Sequence, residues 1–211
     1  MTPKQQYYEK AAATVIQNFK KRGIEGYYCP TSKDAVAKAM DFMDAPSVVS
    51  WGGSMTLEDC GMMDALQNSG HTLLDRHSAA TPEEKKELMS KIYVCDYFFM
   101  SSNAITLDGQ LVNIDGAGNR VSCMAFGPSN VIVMAGMNKL VPDVKAGMDR
   151  VRNMAAPPNN IRLDHKTPCA VTGKCEDCLS PECICSFMVV TRRSHIPGRI
   201  KVILIGEELG Y

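Results

Sequence analysis

The chain has 211 residues, a length that suits one domain with a core large enough to fold without disulfides. Lysine plus arginine and aspartate plus glutamate each number 23, so the net charge is zero and no nucleic-acid-binding surface is predicted. No apolar run reaches the roughly 20 residues that span a bilayer, and the polar start lacks the apolar core of a signal peptide. We therefore expect a cytoplasmic protein with reduced thiols.

The first half of the chain alternates between helical and extended patterns. Apolar residues recur at helical spacing from Thr2 to the stop at Gly23, whereas SVVSW is a short buried strand that runs into Gly52-Gly53. Pro82 followed by acidic residues marks a helix start. The predicted elements are helix 2–23, strand 24–29, helix 32–43, strand 47–51, helix 56–70, strand 71–75 and helix 81–93.

The second half begins with two strands, 95–106 and 110–115, and Asp108-Gly109 between them predicts a hairpin. The remaining predicted elements are helix 118–127, strand 130–136, helix 141–156 ended by Pro157-Pro158, and strands 185–193 and 199–209. This alternation predicts an α/β sheet covered on both faces. We expect one domain over residues 1–211, with residues 157–185, rich in proline, asparagine and cysteine, as an elaborated loop before the last strands.

A glycine turn follows the strand SVVSW. Gly52 and Gly53 let the backbone approach a ligand, and the amides from Gly53 to Thr56 would point outward where the next helix begins. Ser54 and Thr56 could add hydroxyl donors. The alternative is an ordinary strand–helix turn with Ser54 or Thr56 as the cap.

Polar side chains are concentrated along the hairpin and the turn after it. The candidates are Asn103, Thr106, Asp108, Asn113, Asp115, Gly116, Asn119 and Arg120. Ligands in open α/β sheets lie beyond the carboxyl ends of strands, so Asp115 is a candidate acid or base, Asn119 an orienting amide and Arg120 an anion clamp. Alternatively, the Asp-Gly pairs are only turn residues, which is the interpretation we favour for Asp108.

Three stretches together resemble the LUD domain family, named for lactate utilisation. They are WGGSMTLEDCG, NAITLDGQLVNIDGAGNRVSCMAFGP and VIVMAGMNKLV. The resemblance covers nearly the whole chain. It implies a three-layer α/β/α sandwich like that of sugar-phosphate isomerases and coenzyme A transferases. It also implies one cleft, lined by Gly52, Gly53, Ser54, Thr56 and the segment 115–120, for a phosphate-, carboxylate- or coenzyme A-type anion.

The resemblance further implies a part in lactate or related organic-acid utilisation, with iron–sulfur lactate-oxidation proteins as candidate partners. The glutamate nucleophile of coenzyme A transferases has no match here, and shared fold does not establish a reaction. Three hypotheses for the function stay open. The protein is a ligand-binding enzyme or enzyme subunit, a non-catalytic component that carries a metal or iron–sulfur cluster, or a domain whose cleft is vestigial. The sequence leaves the oligomeric state undetermined.

Five of the nine cysteines fall between residues 169 and 185. Such a cluster in a reduced compartment indicates metal or redox chemistry more often than disulfides. Cys175 and Cys178 have chelate spacing, and with Cys169 and Cys185 they could close a tetrahedral sulfur site for zinc or an iron–sulfur cluster; this four-cysteine spacing also resembles that of a LUD subset. Cys183 is a substitute ligand or free thiol, and His165 a further candidate. Free thiols or a redox pair are the alternatives.

The other four cysteines, Cys29, Cys60, Cys95 and Cys123, sit singly on apolar segments. Buried cysteine behaves as a small hydrophobic side chain, so we expect all four in the core.

Overall fold

The computed structural model describes residues 1–44 and 46–211, and a six-stranded parallel sheet forms its centre. In spatial order the strands are β1 (Glu25–Cys29), β10 (Ile200–Ile205), β7 (Asn130–Gly136), β4 (Tyr97–Met100), β2 (Val48–Trp51) and β3 (Thr72–Leu74). The central strands β4 and β7 are apolar and almost wholly buried, as expected for a parallel sheet covered on both faces.

Helices pack on both faces of this sheet. One face carries α1 (Pro3–Lys21), α5 (Pro82–Tyr93) and α6 (Asn119–Ala125), and the other carries α2 (Ser32–Met40), α3 (Met55–Asp59) and α4 (Met62–Gln67). Two buried apolar clusters, one on each side of the strands, hold the layers together. The α/β/α sandwich predicted from the sequence is confirmed.

Local signals fix where several helices begin. Thr2 and Thr81 each form a capping box with a residue three positions on, Gln5 and Glu84, and a proline follows each threonine at the first helical position. Of the two hydroxyl residues at the start of α2, Thr31 and Ser32, Thr31 caps the helix, because its side chain accepts from the amide of Asp34.

A second, four-stranded sheet lies beside the first. Its order is β8 (Leu140–Val141), β5 (Ala104–Thr106), β6 (Leu111–Asp115) and β9 (Phe187–Thr191). The β5–β6 pair is the predicted hairpin, with Gly109 at φ 86° in its turn. A third apolar cluster connects this sheet to residues 151–155.

The prediction of one strand over residues 95–106 is wrong, because the chain leaves the large sheet after Met100 and enters the small one at Ala104. Two of the three backbone carbonyls between them accept hydrogen bonds from arginine side chains rather than from a neighbouring strand. The Ser101 carbonyl accepts from Arg120 Nη1 at 2.9 Å, and the Asn103 carbonyl accepts from Arg150 Nη1 at 2.7 Å. Both arginines lie far along the chain, so strand propensity could not report this break.

Two helices of the structure also differ from the helices predicted from the sequence. Gly61, at φ 79°, divides the helix predicted over 56–70 into α3 and α4. The second is the helix predicted over 141–156. Residues 140–141 form β8, and the helix α7 (Val144–Arg150) continues through a π-helical segment at Val151–Ala155 into α8 (Ala156–Arg162). The prediction that Pro157-Pro158 ends this helix is therefore wrong: both prolines lie at the start of α8, directly after the π-helical segment, and the helical backbone continues to Arg162.

The segment 157–185 is accordingly more ordered than the predicted loop, because it contains most of α8 and the short helix α9 (Pro168–Thr172). The four isolated cysteines are buried, as predicted, and burial raises the pKa of the Cys95 thiol to about 12. In the described part of the chain, no helix has the length and apolar character needed to cross a bilayer.

Candidate functional site

A cavity of about 280 Å³ opens at the carboxyl edge of the large sheet. Three of its wall residues come within three positions of the ends of strands that are neighbours in the sheet: Gly53 after β2, Ser101 after β4 and Lys139 after β7. Arg76 follows the edge strand β3, and the small sheet supplies Asp115 from the end of β6. The cavity thus occupies the position where open parallel sheets bind ligands.

The two sequence-predicted segments meet at this cavity. Of the predicted ligand-binding residues, the walls contain Gly53, Ser54, Asn103, Asp115, Gly116, Asn119 and Arg120. Gly52, Thr56 and Asn113 lie behind the cavity walls and support the wall residues. Thr56 and Asn113 are fully buried and bind the side chains of Lys139 and Arg120, and Gly52 packs against Arg120.

Arg120 is fully hydrogen-bonded inside the protein. Its Nε donates to Asp115 Oδ1, Nη1 donates to the Ser101 carbonyl and to Asn113 Oδ1, and Nη2 donates to Asn103 Oδ1 and the Ile114 carbonyl, at distances of 2.6–3.1 Å. All five guanidinium donors are occupied. Arg120 therefore does not fit the predicted role of an anion clamp; it holds β6, α6 and the segment after β4 together.

Asp115 is similarly engaged. Oδ1 accepts from Arg120 Nε, and Oδ2 accepts from the amides of Arg120 at 3.0 Å and Val121 at 3.1 Å, so the carboxylate also caps α6. The side chain is 12% exposed. This arrangement orients the cavity wall, and the predicted acid or base role remains a prediction.

Two other arginines contribute positive charge to the cavity. The structure gives the half-buried Arg76 one side-chain hydrogen bond within the described residues, from Nε to His77 Nε2, which leaves its Nη groups available to a ligand. A Cβ on Gly53 would lie 2.8 Å from Arg76 Nη2, so the glycine permits this close approach. Arg162 lines the cavity from α8 and bonds Asn159 Oδ1 through Nε and Nη2.

Two cavity asparagines retain amide donors. Asn103 Oδ1 accepts from Arg120 Nη2 and from the amide of Ile114, which leaves Nδ2 as the group that can donate to a ligand. Asn119 begins α6, and among the described residues its side-chain amide has no recorded partner. The predicted role of Asn119 as an orienting amide is compatible with this position.

Lys139, like Arg76 and Arg162, lines the cavity but was not predicted from the sequence. It ends the 3₁₀ turn Met137–Lys139 after β7 and is only 4% exposed. Nζ donates to Thr56 Oγ1 at 2.7 Å and to Ser101 Oγ at 3.1 Å, and no salt bridge involves it among the described residues. Burial, reinforced by the nearby cations Arg150 and Arg120, lowers its pKa to about 7.

A sequence signal for Lys139 did exist. The residue comes three positions after the buried strand NVIVMAG, which places it at the carboxyl edge of the sheet, where ligands bind. The segment 137–139 carries neither a glycine-rich pattern nor paired acids, so no local motif marks it as a ligand-binding loop. The partners Thr56 and Ser101 are 83 and 38 residues away in the chain.

The five cysteines of the 169–185 segment line a second cavity, of about 180 Å³. All four predicted ligands and Cys183 contribute to its walls. His165 is not a wall residue; its ring Nδ1 bonds Asn160 Oδ1 at 2.9 Å. The cysteines that the sequence predicted as metal ligands therefore surround one cavity.

Several hydrogen-bond donors point at these sulfurs. Cys175 Sγ accepts from Arg152 Nε at 3.4 Å, and Cys169 Sγ accepts from Asn160 Nδ2 at 3.5 Å. The Cys183 sulfur accepts from the amide of Cys185 at 3.4 Å. Burial raises the pKa of the Cys185 thiol, and the neighbouring Cys183 adds to the shift.

The chemistry of this donor set suits zinc or an iron–sulfur cluster, since both take thiolate ligands. The cysteine side chains are not arranged as a metal site in this structure. Within the described residues, no three cysteine, histidine or carboxylate side chains are grouped closely enough to hold a metal ion. Metal binding would therefore require the cysteine side chains to converge on the cavity they surround.

A family model, the LUD domain, matches residues 12–205 of the chain. The chain belongs to the LUD domain family. The match spans both cavities, so the glycine turn, the hairpin, Lys139 and the cysteine segment are all parts of the LUD domain. No curated protein sequence gives a significant match.

A solved structure of a DUF162 family protein from Deinococcus radiodurans resembles this LUD domain with a TM-score of 0.57. The two are 11% identical, and the alignment covers 94% of this chain and 98% of the other. This likeness establishes a shared fold.

Two further structures resemble parts of the LUD domain more weakly. Ribose 5-phosphate isomerase A from Methanocaldococcus jannaschii is 15% identical, with a TM-score of 0.35 over 63% of this chain and 62% of its own. The tetrameric eIF2B-β2-δ2 complex from C. thermophilum contains a chain that is 14% identical, with a TM-score of 0.42 over 83% of this chain and 55% of its own. Neither alignment bears on the chemistry of the site.

Proposed function

We propose that this LUD domain protein binds a small anionic metabolite in the cavity at the carboxyl edge of its large sheet. Membership in the family supports a role related to lactate utilisation. The ligand class that fits this role is a carboxylate, a phosphate ester or the acyl end of a coenzyme A ester, and iron–sulfur lactate-oxidation proteins are the corresponding partners.

The charge of the cavity is the observation that carries the proposal. Its described walls contain four basic side chains, those of Arg76, Arg120, Lys139 and Arg162, but one acidic side chain, that of Asp115. Asp115 is already paired with Arg120, so Arg76 and Arg162, which are charged whatever the protonation state of Lys139, leave an excess of positive side-chain charge in the walls. Arg76 supplies the unoccupied donor groups that Arg120 lacks, and guanidinium groups bind carboxylate and phosphate oxygens in a bidentate manner.

The size of the cavity limits the ligand. About 280 Å³ is slightly below the volume that holds drug-sized molecules. A small organic acid or a phosphorylated sugar matches this space, whereas a coenzyme A ester would place only its acyl end inside. Asn103 and Asn119 provide neutral donors that would orient such a ligand.

Thermal unfolding with a panel of anions tests the proposal. Lactate, pyruvate, inorganic phosphate, sugar phosphates and acyl coenzyme A esters are each added at increasing concentration. A ligand at 100 times its Kd stabilises the protein by about 2.7 kcal/mol, which for a chain of this size raises Tm by roughly 5–10 °C.

Two arginine variants make this test specific. Arg76→Ala should abolish most of the stabilisation by the best anion. Arg193→Ala is the matched control, because Arg193 is exposed and lies outside the cavity wall, so its loss should leave the shift intact. The proposal fails if no anion raises Tm, or if both variants reduce the shift equally.

As a second function we propose that the cysteine segment binds zinc or an iron–sulfur cluster, which would make the protein a carrier or assembly component. The supporting observation is that Cys169, Cys175, Cys178, Cys183 and Cys185 surround a single cavity. Donors such as Arg152 Nε already point at the sulfurs, as outer hydrogen bonds do around thiolate-ligated metals.

Metal content after anaerobic purification tests this second proposal. We expect close to one zinc per chain, or iron with acid-labile sulfide and a broad visible absorbance. Replacing both Cys175 and Cys178 by serine should remove the metal, whereas replacing the core residues Cys29 and Cys60 by alanine should not. Metal-free wild-type protein that also fails to take up zinc or reconstitute a cluster would exclude the proposal.

A further inference from the structure

Lys139 is held in an unusual environment for a lysine. Its side chain is buried, and its two recorded partners are hydroxyl groups rather than carboxylates. A lysine that served only to stabilise the fold would usually reach an acid or solvent, since burying an unpaired ammonium is costly. Here the charged form lacks a counter-ion in hydrogen-bond contact. Burial and the nearby Arg150 and Arg120 oppose it more than the carboxylate of Asp59 favours it.

The hydroxyl partners leave one position of the amine unoccupied. Thr56 Oγ1 donates its own proton to the Leu209 carbonyl, and Ser101 Oγ donates to the Ser102 carbonyl, each at 3.4 Å. With their protons directed to these carbonyls, both hydroxyls accept from Nζ. A neutral amine uses its two N–H groups in these bonds, and its lone pair occupies the remaining tetrahedral position. Because Lys139 belongs to the cavity wall, a ligand in the cavity lies beside this side chain.

We propose that Lys139 is a nucleophile that forms an imine with small anionic aldehydes or ketones bound in the cavity. This proposal rests on the anion-binding function proposed above and narrows its ligand class to compounds that carry a carbonyl group beside a carboxylate or phosphate. Arg76 would bind the anionic group, while the carbonyl carbon lies at Nζ.

The chemical step is balanced without a further reactant. The nitrogen lone pair forms a C–N bond to the carbonyl carbon, and one amine proton moves to the oxygen. The C–O bond then breaks, and the oxygen leaves as water with both amine protons, so nothing is oxidised or reduced. If the imine is protonated, its N–H can still donate to one of the two hydroxyls. Desolvation and nearby cations are the conditions that activate lysine amines for this reaction.

Reductive trapping tests the proposal on the wild-type protein. Pyruvate and sodium cyanoborohydride are added near pH 7, and the modified lysines are located by peptide mass spectrometry. About half of the Lys139 amines are neutral at this pH, against less than about a thousandth for a lysine with the ordinary pKa near 10.4. We expect one adduct per chain, on Lys139, formed at least tenfold faster than on any exposed lysine.

Three controls define the specificity. Acetone, which carries no anionic group, should label Lys139 much more slowly than pyruvate, and lactate, which carries no carbonyl, should compete with pyruvate. Lys139→Arg should lose the adduct, and Lys145→Arg, which changes an exposed lysine outside the cavity, should retain it.

The outcomes separate this proposal from the one on which it rests. If pyruvate labels Lys139 no faster than exposed lysines while anions still raise Tm, the imine proposal is wrong and anion binding stands. If acetone labels Lys139 as fast as pyruvate and no anion raises Tm in wild type or in Lys139→Arg, both proposals fail. Because the wild-type measurement locates the adduct directly, a poorly folding variant does not affect the result.

Discussion

Asp115 forms an ion pair with Arg120 and also caps α6, the helix that carries Arg120. Arg120 Nε lies 3.1 Å from Asp115 Oδ1, and the amide of Arg120 lies 3.0 Å from Asp115 Oδ2. The same guanidinium reaches the Ser101 carbonyl beyond β4, so one buried ion pair joins the small sheet, α6 and the edge of the large sheet. The shape of the cavity depends on this pair.

Replacing Arg120 by methionine should therefore destabilise the protein strongly. The change leaves a buried carboxylate and four other acceptors without their donor, and loss of one partner from a buried ion pair costs about 3–5 kcal/mol. Arg162→Met is the control, because Arg162 is exposed and bonds only Asn159 among the described residues; it should cost less than about 0.5 kcal/mol. Urea unfolding measures both, and similar losses would show that Arg120 is not structural.

The adjacent glycines Gly52 and Gly53 should respond differently to alanine. A Cβ on Gly52 would lie 2.9 Å from Arg120 Cγ, and Arg120 cannot move without breaking its hydrogen bonds, so Gly52→Ala should cost about 1–3 kcal/mol. A Cβ on Gly53 would meet only the end of the flexible Arg76 side chain, at 2.8 Å.

Gly53→Ala should therefore fold with nearly wild-type stability but bind the best anion less tightly, because Arg76 must be displaced. Unfolding curves and anion titrations of the two variants, run side by side, check this. Equal stability of the two variants, or unchanged anion affinity in Gly53→Ala, would contradict the assignment of the two contacts.

Much of the fold could be predicted because its signals are local. Thr31 capping, the Asp108-Gly109 turn and the apolar run of β7 each depend on residues within a few positions of one another. The placement of the glycine turn and the segment 115–120 in one cleft is what the resemblance to the LUD domain family implies, and it agrees with the rule that ligands lie beyond the carboxyl ends of strands.

The roles of the site residues could not be predicted in the same way. Arg120 was expected to clamp an anion, but its five acceptors come from residues 101–115, and their convergence depends on the break between the two sheets. Lys139 is distinguished by burial and by partners distant in sequence, and neither property has a local signature. A sequence indicates which groups reach an edge of the sheet, but not which of them remain unpaired there.

Thr56→Val should lower the pKa of Lys139 still further. The hydroxyl at 2.7 Å accepts from Nζ, and this bond stabilises the ammonium more than the neutral amine. A hydrogen bond to a charged group contributes about 1.5–3 kcal/mol, so its loss should lower the titration midpoint by about one pH unit or more. Carbon-13 NMR of labelled lysine Cε measures the midpoint. Thr14→Val, on the exposed face of α1, is the control and should leave the Lys139 titration midpoint unchanged. An unchanged midpoint in Thr56→Val would show that Thr56 does not affect the pKa of Lys139.

Lys139 should also make the stability of the protein rise with pH. Below about pH 7 the lysine is protonated in both the folded and unfolded chains, and the cost of burying the charge is fully present. Above about pH 7 the folded protein releases this proton, while the unfolded chain retains it until about pH 10.4. The unfolded state then binds more protons, so the free energy of unfolding increases with pH.

The Lys139→Met variant isolates this contribution. The difference in the free energy of unfolding, wild type minus variant, should increase by about 1.4 kcal/mol per pH unit between about pH 7.5 and pH 9.5. Other titrating groups, including the buried cysteines, are common to both proteins and largely cancel in the difference. Urea unfolding at several pH values supplies the measurement. A difference that stays constant over this range would mean that Lys139 keeps its proton in the folded protein, and the neutral amine required for imine formation would then be absent near pH 7.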